Sequence, residues 1–158
     1  MLLKFLPIAL LFLAWITASW LDVRYRRVPN WLCGVTALAG LAMGFIEGGA
    51  AALGGQALHA AIVLALGMVL FRFGVFGGGD AKFYTGVAAW FGLPKALMLL
   101  ISISFCGAVL LFAWFGYRRL RRLPVSKRGG NPFDALPYGI AIGAGAVLTM
   151  ASALGAGS

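Results

Sequence analysis

Acid is what this sequence has least of. Four of its 158 residues are Asp or Glu, against thirteen Lys and Arg, and the net charge is +9. Histidine occurs once, and there is no G-x-S-x-G, no H-E-x-x-H and no phosphate-binding P-loop. Serine-hydrolase, zinc-hydrolase and P-loop chemistries therefore lack their usual equipment. The two cysteines, Cys33 and Cys106, stand apart in apolar runs without a second Cys or His at ligand spacing. They read as packing residues, so no disulfide framework, metal site or other cofactor is expected.

What fills the chain instead is hydrocarbon. Hydrophobic residues make up 62% and charged residues 11%, far from the composition of a soluble domain. The basic residues sit in short clusters between long apolar runs, the pattern of a polytopic membrane protein, and no nucleic-acid partner is expected. The membrane lipid is the first partner implied.

The apolar runs predict an all-α fold of about six transmembrane helices forming a single domain over residues 1–158. Span one covers Leu2 to Trp20. Thr17-Ala18-Ser19 resembles a signal-peptidase site, but cleavage there would export Arg24, Arg26 and Arg27, against the positive-inside rule. Pro29 breaks the chain before span two, which runs from Asn30 or Trp31 to about Ile46. A nearly uncharged turn over Glu47 to Gly55 leads to span three, about Gln56 to Phe73. Span four is short, with only about eleven to thirteen residues between Asp80 and Pro94. Span five runs from Lys95 to Tyr117 and ends at a basic run that includes Arg118, Arg119, Arg121 and Arg122. Span six, about Pro137 to Leu154, is rich in Gly and Ala and suited to close helix packing. Of the thirteen basic residues, all but Lys4 and Lys95 then fall at one face, which predicts that face to be cytoplasmic and both termini to lie outside.

Asp22, Asp80 and Asp134 share that cytoplasmic face, while Glu47 is at the other. An ionised carboxylate near hydrocarbon needs a partner, a wet cavity or a raised pKa. Gly77, Gly78 and Gly79 directly precede Asp80, clear side chains from its approach and open backbone angles closed to other residues. An extended chain can then come close to that carboxylate. Asp80 is expected at the N-cap of span four, and a re-entrant glycine loop is admissible there if it lines a cavity. His59 reads as a hydrogen-bonded polar residue between helices. Arg24 and Lys82 each follow an Asp by two residues, and three roles stay open for them: depressing the neighbour's pKa, anchoring an acidic substrate residue, or snorkelling to headgroups. Asp134 suits a first helix turn and is the rival for any pairing.

Two carboxylates sharing a site do not easily both ionise, so one keeps a proton and the pair titrates as a unit. Such a dyad activates a water with its ionised member and polarises a carbonyl with the other, which is the chemistry of aspartyl proteolysis. Asp22 followed by Val28-Pro29-Asn30, with Gly77-Gly78-Gly79-Asp80-Ala81-Lys82 and Leu136-Pro137-Tyr138-Gly139, resembles the type IV prepilin peptidase family of G-x-G-D membrane aspartyl proteases. The likeness extends over nearly the whole chain. It implies an endopeptidase with Asp22 and Asp80 as the catalytic pair, and Gly77, Gly78, Gly79, Lys82 and Arg24 around it. The implied substrate is a prepilin or prepilin-like precursor, cut on the cytoplasmic side of the inner membrane, with pilus assembly machinery as a further partner. Larger bacterial members carry paired C-x-x-C motifs in a cytoplasmic domain and also methylate the product. This sequence has neither motif, so no methyltransferase activity is expected. In size it is similar to the peptidases of tight-adherence (Flp) pili and to archaeal preflagellin peptidases. Two other classes compete with this expectation: a non-catalytic scaffold of a pilus or secretion assembly, and a small proton-coupled transporter. The acids lie at one face instead of the midplane, which disfavours the transporter.

Overall fold

The computed structural model describes residues 5–25, 27–74, 76–121 and 138–155. Among them are helices and turns and no strand. Helix α1 is Leu6–Tyr25, α2 Asn30–Arg72, α3 Gly78–Ala88, α4 Ala96–Leu120 and α5 Tyr138–Gly155, with a 3-10 turn Leu93–Lys95 leading into α4. Four segments are long and apolar enough to cross a bilayer: Leu6–Tyr25, Asn30–Arg72, Leu93–Leu120 and Tyr138–Gly155. These apolar helices mark a membrane protein.

Two differences separate this from the expected six spans. First, the turn expected over Glu47 to Gly55 is helical on both sides, and α2 is interrupted at Gly49 alone. With φ 64° and ψ −155°, Gly49 adopts a conformation open to glycine and closed to most other residues. The chain folds back there. Gly44 packs against the side chain of Gln56, whereas a straight helix would set those positions about 18 Å apart. Second, the expected fourth span is α3, which at 11 residues is about 16 Å long and too short to cross.

Helix α3 is nevertheless the centre of the molecule. Phe83, Val87, Ala88, Trp90 and Phe91, on the helix and just past its end, are almost fully buried. Both arms of α2 close on it. On the first arm Gly86 sits against the Cys33 carbonyl, and a Cβ at Gly40 would come within 2.9 Å of Trp90 and Ala89. On the second, Gly67 touches Ala81. A helix that stops inside a membrane leaves carbonyls without partners, a cost of several kcal/mol each in hydrocarbon. Here the turn past the helix supplies most of them, the Ala89, Trp90 and Phe91 amides donating to the Thr85, Val87 and Ala88 carbonyls. His59, buried as expected between helices, lies with Nδ1 2.7 Å from the Phe91 carbonyl. The Trp90 indole closes the other side by donating to the Thr36 carbonyl at 2.9 Å.

The Gly and Ala of α5 do what their composition suggests. Gly143 accommodates the Trp15 ring of α1, whose Nε1 donates to the Ile140 carbonyl at 3.0 Å. Gly145 lies on the backbone of Ile103 in α4, where a Cβ would approach to 2.6 Å. Helix α5 is thereby held between α1 and α4. Cys33 is buried, Cys106 is half-buried, and both are free thiols.

Candidate active site

The C-terminal end of α1 and the N-terminal ends of α3 and α5 meet at one end of the bundle. Asp22, in the last turn of α1, is buried, and its Oδ2 accepts a hydrogen bond from the Gly139 amide of α5 at 3.1 Å. Asp80 is close enough to feel the Asp22 charge. Burial first and Asp22 second push its carboxyl from the ordinary 3.8 up to about 6. No described residue donates a hydrogen bond to Asp80, so nothing offsets these two effects.

Asp80 is not the N-cap. That position belongs to Gly77, and Asp80 is the third helical residue, its carboxylate folded back over the glycine. The three glycines act through space and not through unusual torsions. Gly77 is extended at φ −70° and ψ 140°, and Gly78 and Gly79 are helical. A Cβ on Gly77 would come 2.6 Å from Asp80 Oδ2, and one on Gly78 3.2 Å from the Phe71 ring. Gly79 faces the backbone of Val28, 3.8 Å from where its Cβ would be, so the two aspartate-bearing segments meet main chain to main chain. Of the two expectations for these glycines, cleared space holds at Gly77 and Gly78, while angles closed to other residues are not used at any of the three. The left-handed torsion falls nearby instead, at Gly74, with φ 70°.

Lys82 and Arg24 both turn away from the acids. Two residues along a helix is more than half a turn, so neither shares a face with its Asp. Lys82 Nζ donates to Asn30 Oδ1 at 3.0 Å, joining α3 to the first residue of α2. Its charge is not among the causes acting on Asp80, whose carboxyl is raised and not depressed. Arg24 is exposed and makes no ion pair among the described residues. Asp134, the rival acid, lies outside the described residues, as do Leu136 and Pro137.

Four participants were not assigned a role from sequence. Asn30 and Gly139 lie in stretches that carry the resemblance, but nothing in their spacing shows which group each would hold. Phe76 meets Tyr138 edge to face at a ring distance of 5.8 Å, tying the segment before Asp80 to the start of α5. Beside this pair an apolar cavity of about 440 Å³ opens between α2 and α4, lined among others by Leu66, Leu70, Tyr84 and Leu100.

Long apolar helices around two interacting acids, Asp22 buried and Asp80 half-buried, define the class: an all-helical membrane protein with a pair of carboxylates at one end. Comparison with known proteins narrows it. The model of the type IV leader peptidase family matches residues 9–112, which include both acids, and the chain belongs to that family. No curated protein and no solved structure gives a significant match.

Proposed function

We propose that the protein is a membrane aspartyl endopeptidase that removes the short basic leader of type IV or Flp-type prepilins at the cytoplasmic face of the inner membrane. Asp22 and Asp80 form the dyad. The observation that carries this reading is the coupling of the two acids: Asp80, half-buried and close to the charge of Asp22, holds its proton to about pH 6. Around that pH the pair bears one proton and one negative charge. The ionised carboxylate takes a proton from water, which attacks the scissile carbonyl. The protonated one donates a hydrogen bond to the carbonyl oxygen and a proton later passes to the leaving amine.

The family match supports a peptidase. The surroundings support a precursor that arrives through the bilayer. A prepilin continues from its leader into an apolar helix, and the apolar cavity beside Phe76 and Tyr138 receives that segment next to the dyad. The two arms of α2 are counted as separate crossings, which with α1, α4 and α5 makes five long ones, and α3 with the turns up to Lys95 makes the sixth passage, carrying the chain between the arms to the start of α4. The basic segments on either side of the site orient it to the cytoplasm.

The test is cleavage of a co-expressed Flp-type prepilin, read as a mobility shift with the new N-terminus sequenced. Wild type cleaves; Asp22→Asn and Asp80→Asn, at normal membrane levels, do not; Asp134→Asn does. Cleavage surviving Asp80→Asn refutes the dyad and leaves a scaffold role in pilus assembly.

A further inference from the structure

We propose that Gly139, at the start of α5, is a positioning residue for Asp22. This rests on Asp22 acting in the dyad, and it adds a helix that lies beyond the residues the family model matches, 9–112.

Three features of the site converge on Gly139. Its main-chain N–H lies in the first described turn of α5. It finds Asp22 Oδ2 at 3.1 Å, in a buried setting, 117 residues away in sequence. Its missing side chain is equally specific, because a Cβ there would lie 3.0 Å from Oδ2 and 3.5 Å from Asp22 Cβ and Cγ. A methyl group there presses on the carboxylate itself, which must give by a few tenths of an ångström and so leaves its position in the pair. The donor itself is fixed. Trp15 bonds the next carbonyl, that of Ile140, and fills the space over Gly143, while Tyr138 packs on Phe76. The start of α5 therefore grips α1 through Asp22 and the Asp80 loop through Phe76.

The contact also distributes protons. An N–H hydrogen bond stabilises an ionised carboxylate more than a neutral one. The contact therefore favours the negative charge on Asp22 and the proton on Asp80, which assigns Asp22 as the member that deprotonates water.

Purified full-length protein in vesicles, acting on an Flp-type prepilin, tests this with two substitutions. Gly139→Ala keeps the N–H and adds the methyl. Gly139→Pro removes the N–H at a first-turn position where proline's fixed φ is tolerated. Both are expected to lower kcat roughly ten- to a hundredfold, proline the more, with KM changed by less than about twofold. The control is Ala141→Gly, which loosens α5 without touching Asp22 and should leave kcat of the folded protein unchanged. A fall in kcat with Ala141→Gly as large as with Gly139→Ala would mean loosened packing and would overturn the proposal. So would an unchanged kcat in both Gly139 variants. A second measurement covers variants that fail to fold and is independent of cleavage: hydrogen exchange at the Gly139 amide, in wild type and in Asp22→Ala. The exchange should quicken at least about tenfold when the acceptor is removed. Equal exchange in the two proteins refutes the contact even if the protease reading stands. If wild type cleaves nothing while the exchange quickens, the contact holds and the dyad's function fails.

Discussion

Replacing Asp80 with asparagine should stabilise the fold while abolishing cleavage. In the folded protein the Asp80 carboxyl titrates at about 6, against 3.8 for an ordinary aspartate. The folded state thus holds the proton more tightly than the unfolded one. Stability is greatest below the unfolded value and declines as pH rises from about 4 to about 6. A rise of that size corresponds to about 3 kcal/mol, carried as a cost by the ionised form at neutral and alkaline pH. Asparagine has nearly the same shape and no charge, so Asp80→Asn should recover about 3 kcal/mol at pH 8 and only about 1 kcal/mol at pH 4.5. The assay is thermal unfolding of detergent-solubilised wild type and variant at both pH values, where the difference at pH 8 should reach several degrees. A variant no more stable than wild type at pH 8, or a gain of the same size at both pH values, would refute the claim that Asp80 is ionised at a cost.

The same titration sets the rate. Cleavage at saturating prepilin should fall about tenfold per pH unit above about 6, because the Asp80 proton is lost there; a kcat flat from pH 6 to 8 would place the proton elsewhere. His59→Leu leaves the Phe91 carbonyl without its partner and should lower stability by about 1–3 kcal/mol in thermal unfolding, with cleavage per folded molecule retained. Leu66→Trp, projecting into the apolar cavity, should raise KM for a full-length prepilin severalfold. It should spare a short soluble peptide of the leader and first mature residues, and equal effects on the two substrates would show that the cavity does not hold the apolar segment.

How much of this was legible in the sequence follows from the range of each interaction. The apolar runs located α1, α4 and α5 to within a few residues because hydropathy is local and the bilayer sets a fixed length. The reversal at Gly49 was visible as a glycine pair after Glu47, but the persistence of helix up to a single turn residue was not, since small residues suit both helix and loop. The short fourth segment was recognised from its length. What lets it end inside the protein was not, because Phe91 is met by His59 and Trp90 meets Thr36, partners that only the folded hairpin brings together. Charge and topology put Asp22, Asp80 and Asp134 at one face, and only the resemblance singled out Asp22 and Asp80 as the pair. Gly139 could not be found in either way, because its contribution is a main-chain N–H, a group every residue except proline carries, and only its position singles it out.

The central place of α3 also bears on how the protein enters the membrane. Eleven residues cannot dwell alone in lipid, yet both arms of the α2 hairpin precede α3 in the chain. Synthesis therefore delivers the sleeve before the plug. Both arms are made before α3, which then enters between them with His59 already in place for the Phe91 carbonyl. The order of the segments along the gene is, for this fold, an order of assembly.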